Sequence, residues 1–187
     1  YFHSLNPPSL DFLEPDGNWL KLPPGKPNHY TTEYGDWFIK AFNYWIDKHP
    51  KLKIRRFEEI LEHILGGSGS TEYFGVEPAN IITIATDGSY EAVDQIKSAY
   101  NGAEILNLNI FNNSLNEALK HTKIAERQTG LDALCNKCLT CEHIKTCGGG
   151  YYPHRYNKIT NFKNPSIYCA DYKILFKHVE KFLMKNI

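Results

Sequence analysis

The chain has 187 residues, and its 21 lysine and arginine residues balance 21 aspartate and glutamate residues, so the formal net charge is zero. This length suits one domain or one and a half, with enough apolar residues for a real core. No basic tract indicates a nucleic-acid partner, no apolar stretch is long enough to span a membrane, and no signal peptide is recognisable.

Residues 1–34 are rich in proline and aromatic side chains. Within them, residues 10–13 form a short apolar run that predicts a buried strand leading into a loop. The acidic and imidazole side chains around this run are Asp11, Glu14, Asp16 and His29. Barrel folds place binding residues at such strand ends, although each of these side chains taken singly is better explained as a solvated loop residue.

Two helices are predicted next. Apolar residues recur at helical spacing over residues 36–49 and again over residues 57–65. Asp36 is the expected N-cap of the first helix, and Pro50 ends it. Residues 53–55, between the two helices, fit a short strand, so the order of strand, helix, strand and helix indicates βα units.

A glycine-rich stretch over residues 66–75 predicts a flexible linker. We place a domain boundary there, between residues 1–66 and residues 76–187. After the boundary, residues 80–93 predict a β-hairpin whose turn is formed by residues 86–89.

The remaining periodic segments predict two more helices. One covers residues 114–127, with Asn113 or Ser114 as its cap and Gly130 after its end. The other covers residues 171–184 and carries an amphipathic apolar stripe.

All five cysteines lie in the C-terminal third of the chain. Four of them follow the spacing C-x2-C-x5-C-x21-C, and these are Cys138, Cys141, Cys147 and Cys169. Four thiolates suit a structural zinc and an iron–sulfur cluster about equally, and the spacing alone does not decide between them. The odd number of cysteines argues against a disulfide framework, and free thiols in a metal-binding pattern predict a reducing cytoplasm.

The residues around these cysteines favour the cluster. Gly148, Gly149 and Gly150 directly follow Cys147, and their backbone N–H groups can turn toward sulfur and hold a negatively charged group. A simple tight turn is the alternative.

Other side chains in this stretch have open roles. Cys135 is either a spare thiol or a substitute for Cys138, and His143 and His154 are alternative ligands that a four-cysteine set does not need. Arg155 is placed to steady a cluster sulfur or a peptide carboxylate, or to make a structural hydrogen bond.

The segment from Cys138 to Cys169 resembles the cysteine motif of SPASM domains, the C-terminal extension of many radical SAM enzymes. That motif is C-x2-C-x5-C-x3-C-x17-C, and here Tyr151 stands at the position of its fourth cysteine. In SPASM enzymes the fourth cysteine serves a first auxiliary cluster, whereas the other four hold the second. The resemblance therefore implies one auxiliary [4Fe–4S] cluster, held by Cys138, Cys141, Cys147 and Cys169.

Two longer strings narrow the resemblance. Cys-Gly-Gly-Gly-Tyr-Tyr-Pro-His-Arg-Tyr, from residue 147, and Asn-Pro-Ser-Ile-Tyr-Cys, ending at residue 169, are similar to the FxsB-type radical SAM/SPASM peptide maturases. Those enzymes crosslink side chains in ribosomally made precursor peptides. The implied fold is α/β: residues 1–66 would be the C-terminal part of a radical SAM partial (β/α) barrel. Residues 76–187 would be a SPASM-like iron–sulfur domain with a β-hairpin and helices.

The resemblance also points to Asp94. The second strand of the SPASM hairpin ends in Cys-Asp, and that cysteine binds the first auxiliary cluster. The pair here is Val93-Asp94, so this cysteine is replaced as well, in agreement with Tyr151. Asp94 keeps the position of an aspartate that accepts a substrate proton in sulfatase-maturating relatives. The alternative is that Asp94 caps a helix starting near Gln95.

The five cysteines contain no C-x3-C-x2-C motif. In radical SAM enzymes that motif holds the first [4Fe–4S] cluster, which binds and cleaves S-adenosylmethionine. We therefore expect the chain to be the C-terminal portion of a longer enzyme and to be inactive alone. Its expected partners are a precursor peptide and a reductant such as flavodoxin or ferredoxin. The alternatives are a non-enzymatic zinc peptide-binding module and a sulfatase-maturase-like enzyme that acts on a protein residue.

Overall fold

A computed structural model describes residues 1–69, 71–78 and 81–186. The chain forms a mixed structure in which helices surround a small antiparallel sheet. The α-helices are α1 (Glu33–Lys48), α2 (Arg55–Ile64), α3 (Leu115–Lys120), α4 (Thr122–Ala125), α5 (Asn136–Leu139), α6 (Ile144–Cys147) and α7 (Cys169–Asn186). The strands are β1 (Thr83–Ile84), β2 (Ser89–Glu91) and β3 (Ile105–Asn109). Short 3₁₀ helices cover Phe2–Leu5, Asp94–Ser98, Glu126–Gln128, Gly130–Ala133 and Tyr152–Arg155.

The three long helices confirm the predictions from apolar periodicity. α1 begins three residues earlier than predicted, with Thr32 at its N-cap, so the assignment of Asp36 as the cap is wrong. Asp36 lies inside the first turn, where its carboxylate accepts a hydrogen bond from the Thr32 hydroxyl at 3.1 Å. α7 begins at Cys169, so a candidate ligand opens the last helix.

The first core is formed where α1, α2 and α7 pack together, and it is mainly aromatic. Its buried aromatic members are Phe38, Phe42, Trp45, Phe57, Phe74, Tyr168, Tyr172 and Phe176. Phe74 comes from the stretch predicted as a linker, and its ring meets the rings of Tyr172 and Phe176 at centroid distances of 5.0 and 5.2 Å. The described part of that stretch is therefore anchored in the core, whereas the division into two domains stays a prediction.

The sheet has the order β1-β2-β3 and is antiparallel throughout. The β1–β2 hairpin confirms the prediction, except that residue 80 lies outside the described residues. β3 was not predicted. Its register against β2 shifts between Tyr90 and Glu91, and Asn107 within it has φ of 57°, a left-handed conformation that asparagine tolerates better than most residues. The sheet packs on a second, smaller core that includes Leu106 and Ile96.

The single helix predicted over residues 114–127 is wrong. Ser114 caps α3 through a reciprocal capping box with Glu117. The helix then stops at His121, whose ψ of 136° is extended, and the His121 ring accepts the Lys123 backbone N–H to start α4. A side-chain cap in mid-segment thus divides what apolar spacing presents as one helix.

The two strands predicted near the N-terminus meet, but only at one point. Leu10 and Ile54 form an isolated parallel bridge. Its hydrogen bonds run from the Leu10 N–H to the Lys53 carbonyl at 2.8 Å and from the Arg55 N–H to the Leu10 carbonyl at 3.0 Å. The parallel direction suits a βα unit, but one bridge does not constitute a partial barrel. Within the described residues, no helix combines the length and apolar character needed to cross a lipid bilayer.

Candidate metal centre

Two short helices, the first residue of the long helix α7 and the loops between them bring four cysteines to one small cavity of about 20 Å³. Cys138 lies in α5, Cys141 just after it, Cys147 at the end of α6 and Cys169 at the start of α7. We call this space the cysteine cavity. The structure therefore brings together the four cysteines that the spacing had grouped, including Cys169, which is distant in sequence.

The walls of the cysteine cavity are mostly apolar, with two cationic side chains. Lys137 and Lys173 line it, and both favour the thiolate form of Cys169, although burial of that thiol still raises its pKa. The sequence signal for these lysines was available, because one directly precedes Cys138 and the other follows Cys169 by one helical turn. Cation charge beside several thiols suits a site that carries net negative charge.

Burial favours the protonated form of two of these thiols, Cys147 and Cys138. It raises the pKa of Cys147 to about 12, with the nearby Cys169 adding to the effect. Burial, together with Cys135, also raises the pKa of Cys138. Bound metal or iron–sulfur units supply the positive charge that turns such thiols into thiolates, so these side chains have the chemistry of ligands rather than of free nucleophiles.

The glycine loop, residues 148–150, turns sharply beside the cavity. All three glycines have positive φ, at 56°, 82° and 73°. The backbone N–H of Gly149 acts to lower the pKa of the Cys147 thiol, against the larger effect of burial. A Cβ at Gly148 would lie 1.4 Å from the Gly75 carbonyl oxygen, so a side chain has no room there.

The other candidate ligands have different surroundings. The His143 ring lines the cavity, but its Nδ1 lies 3.0 Å from the Glu180 carboxylate. His154 is only 1% exposed and lies among aromatic rings away from the cavity lining. The Cys135 sulfur is 3.6 Å from that of Cys138 but is not part of the lining. Arg155 donates to backbone carbonyls of the glycine loop, which agrees with its structural role among the predicted alternatives.

Across the part of the chain that the structure describes, no group of three or more His, Cys, Asp or Glu side chains is arranged to hold a metal ion. A structural zinc needs four sulfurs at about 2.3 Å from one point. Four sulfur donors suit a zinc ion and an iron–sulfur cluster alike.

The two positions where SPASM enzymes carry further cysteines are both buried. Tyr151 stacks on Tyr73 at a centroid distance of 4.5 Å, and Val93 is packed at the end of β2. Asp94 is exposed and opens a 3₁₀ helix whose N-cap is Val93. Because Asp94 lies inside this helix and Val93 is its N-cap, the helix-cap interpretation of Asp94 is wrong.

The acidic residues near the N-terminus do not form one site. Glu14 is buried and pairs with the Arg56 guanidinium at 2.5 Å, whereas Asp11 lies 3.7 Å from Arg55. These two acids line a common recess against α1, but Asp16 is not among its lining residues. His29 stacks on Trp19 instead.

No protein-family model and no curated protein matches the sequence. Among solved structures, the chain is similar to native anSMEcpe with bound AdoMet and Cp18Cys peptide. The identity is 23%, the TM-score is 0.74, and the match covers 100% of this chain and 53% of that one. Native anSMEcpe with bound AdoMet gives 22% identity and a TM-score of 0.73, over 99% of this chain and 50% of the other.

The protein anSMEcpe is a radical SAM/SPASM anaerobic sulfatase-maturating enzyme. The chain spans about half the length of these structures. The likeness confirms, at the level of fold, the resemblance inferred from the cysteine motif: the chain folds as the C-terminal part of a radical SAM/SPASM enzyme.

Proposed function

We propose that the chain is the C-terminal portion of a radical SAM/SPASM enzyme that modifies a peptide, and that it holds one auxiliary [4Fe–4S] cluster. The observation that carries this proposal is the meeting of Cys138, Cys141, Cys147 and Cys169 at one cavity. That cavity lies in a chain with the fold of a radical SAM/SPASM enzyme.

The residues present fit such a cluster. The four cysteine thiolates would be its ligands, the Gly149 N–H would donate to one ligand sulfur, and Lys137 and Lys173 would offset negative charge. When bound, the cluster would supply a one-electron acceptor close to the modified peptide. The apolar walls limit the access of water to the sulfurs.

The substrate would be a ribosomally made precursor peptide whose side chains are crosslinked. Two of the similar structures hold a bound peptide, which supports a peptide as the partner here. S-adenosylmethionine and a second [4Fe–4S] cluster would bind to a part of the enzyme outside these 187 residues, because a C-x3-C-x2-C motif is missing here. Residues 1–66 would complete the partial barrel, residues 76–187 would form the SPASM-like domain, and a cytoplasmic flavodoxin or ferredoxin would supply electrons.

Asp94 is the proposed proton acceptor. It is exposed and lies three residues after the end of β2, so a peptide can reach its carboxylate. In the full-length enzyme, Asp94→Asn should abolish crosslinking while S-adenosylmethionine is still cleaved. Unchanged crosslinking would remove Asp94 from the mechanism.

Metal analysis tests the main proposal. The chain is purified without oxygen, reconstituted with iron and sulfide, and analysed for iron, acid-labile sulfide and zinc. A brown protein that bleaches on reduction is expected, and Cys169→Ala should lose most of its iron.

Cys135→Ala is the matched control, because this thiol lies beside Cys138 but outside the cavity lining. It should keep the cluster. A colourless protein with one tightly bound zinc would contradict the proposal, and iron loss in Cys135→Ala but not in Cys138→Ala would show that the ligand set is misassigned.

A further inference from the structure

Arg155 lies beneath the glycine loop and is only 8% exposed. Its Nε donates to the Gly150 carbonyl at 2.9 Å, and its Nη2 donates to the Gly148 and Gly150 carbonyls at 2.7 and 2.5 Å. The guanidinium thus donates hydrogen bonds to two carbonyl groups of the glycine loop. A Cβ at Gly149 would lie 3.1 Å from the guanidinium carbon, so Gly149 and the guanidinium are closely packed.

The hydrogen bond to the Gly148 carbonyl fixes the direction of the Gly149 N–H group. The Gly148 carbonyl and the Gly149 N–H belong to one peptide unit, and in a planar trans peptide they point in opposite directions. Because the Gly148 carbonyl points toward Arg155, the Gly149 N–H points away from Arg155. Gly149 and Cys147 line the same cavity, and the Gly149 N–H acts to lower the pKa of the Cys147 thiol, as a hydrogen bond to that sulfur would. Arg155 therefore orients the donor without touching the sulfur.

The charge of Arg155 has no carboxylate to balance it. In the described parts of the chain, no aspartate or glutamate forms an ion pair with this guanidinium. Burial lowers its pKa, and the nearby thiols of Cys147 and Cys138 act in the opposite direction. A buried cation without an acidic partner is costly unless negative charge lies close by, and the cysteine cavity is where such charge would be.

We propose that Arg155 is a positioning residue for the cluster: it fixes the Gly149 N–H on the Cys147 sulfur and places a positive charge behind the ligand loop. The inference rests on the proposed function. A donor on a ligand sulfur and a nearby cation stabilise the reduced, more negative state of an iron–sulfur cluster. Arg155 therefore raises the reduction potential of the cluster and slows the loss of iron.

Two substitutions separate the two effects. Arg155→Lys keeps the charge but cannot bridge two carbonyls in the same plane. Arg155→Gln keeps neither the charge nor the fork. Arg127→Lys is the matched control. The Arg127 side chain is only 6% exposed and also lies over the Tyr152 ring, at 5.6 Å, yet it pairs with Glu72 rather than with the glycine loop.

The readouts are iron loss to a chelator and a redox titration of the reconstituted chain followed by electron paramagnetic resonance. Both Arg155 variants should lose iron at least roughly tenfold faster than wild type, the size expected for a partner of a metal ligand. The midpoint potential should fall in both variants and further in Arg155→Gln. Arg127→Lys should match wild type in both measurements.

The outcomes distinguish the two proposals. If the wild-type chain does not load iron and sulfide, the proposed function fails before any variant is compared. If wild type loads normally and both Arg155 variants show its potential and its rate of iron loss, only the role of Arg155 is overturned. If neither variant folds, hydrogen exchange of the wild-type Gly149 amide decides: protection supports the role, and exchange at the rate of an unfolded chain overturns it.

Discussion

Two regions that meet at the glycine loop differ in how closely their side chains are packed. On one side lies the cysteine cavity, and on the other an aromatic layer. The layer consists of Tyr73, Phe74, Tyr151, His154, Tyr168 and Tyr172. Cys147 and Tyr151 are four residues apart, yet one faces a cavity and the other a stack of rings.

The difference shows how one short motif supports two opposite environments. Glycines border the cavity because side chains have no room there: a Cβ at Gly150 would lie 2.8 Å from Ser166 and 2.9 Å from Tyr172, two residues of the cavity lining. The aromatic layer is closed by rings whose centroids lie 4.5–6.4 Å apart. Polar atoms inside the layer, including both ring nitrogens of His154 and the Tyr172 hydroxyl, lack hydrogen-bond partners there. The four cysteines thus line a cavity, whereas Tyr151, at the position of the replaced cysteine, lies in a closely packed stack of rings.

The largest effect on stability is expected from Phe74→Ala, which removes a ring from the aromatic layer. Phe74 is buried between Tyr172 and Phe176, so its removal should lower the free energy of unfolding by about 3–5 kcal/mol. Denaturant unfolding measures the change. Phe111→Ala, at a ring that is 78% exposed, is the control and should cost less than about 0.5 kcal/mol. A small effect at Phe74 would mean that residues 71–78 are a loose linker after all.

Gly148→Ala tests the packing of the glycine loop beside the cysteine cavity. Its Cβ would collide with the Gly75 carbonyl oxygen, and its φ is positive, so we expect a loss of about 2–4 kcal/mol. Gly66→Ala separates strain from collision, because Gly66 also has positive φ but nothing lies within 4 Å of the added carbon. That control should lose only about 1 kcal/mol. Equal losses in the two variants would show that the contact with Gly75 is not needed.

Tyr151→Cys tests whether restoring a cysteine in the aromatic layer is enough to create a second iron–sulfur site. Loss of the buried ring should cost about 2–3 kcal/mol, because Tyr73 loses its stacking partner. The iron content per chain should not rise, since Val93 still occupies the other replaced position. Iron analysis after reconstitution gives the answer, and a doubled iron content would contradict it.

His154→Phe gives the smallest effect at neutral pH and a clear effect in acid. Burial, assisted by Arg56 and Arg155, lowers the pKa of His154 to about 3. Between pH 6.5 and 3 the unfolded chain binds a proton at this residue and the folded chain does not. Wild-type stability should therefore fall with decreasing pH by up to about 1.4 kcal/mol per pH unit from this group.

The variant should lose that contribution and should match or exceed wild type at pH 7, because an apolar ring replaces two unpartnered nitrogens. Urea unfolding at pH 7, 6 and 5 compares the two proteins. Parallel pH dependence in both would show that the ring is protonated, or reached by water, in the folded state.

Sequence periodicity predicts α1, α2 and α7 because each hides one continuous apolar stripe. Cysteine spacing likewise groups the four residues of the cavity, because three of them are close in sequence and Cys169 returns through a turn. β3 was missed although Leu106 and Leu108 alternate with asparagines, a pattern that is typical of a strand.

Other features have no local signal. The break at His121 depends on an imidazole acting as a cap, which no glycine or proline announces. The ion pairs of Glu14 with Arg56 and of Lys26 with Asp171 join residues 42 and 145 positions apart. Such pairs arise from how the elements pack, and no neighbouring residue in the sequence indicates them.

The opening turn of α7 has a consequence for the order of synthesis. Asp171 accepts hydrogen bonds from Lys26 at 2.5 Å and from the Gly35 N–H at 2.9 Å, and the Tyr168 hydroxyl donates to the Pro15 carbonyl at 2.6 Å. Residues 15–35 therefore gain these contacts only after residues 168–171 have been synthesised. As the polypeptide leaves the ribosome, the aromatic stripe of α1 can first contact Phe57 of α2 and stays partly uncovered until α7 emerges, so folding depends on distant contacts and is slow. Nascent chains stalled before Cys169 should depend on chaperones that shield exposed rings.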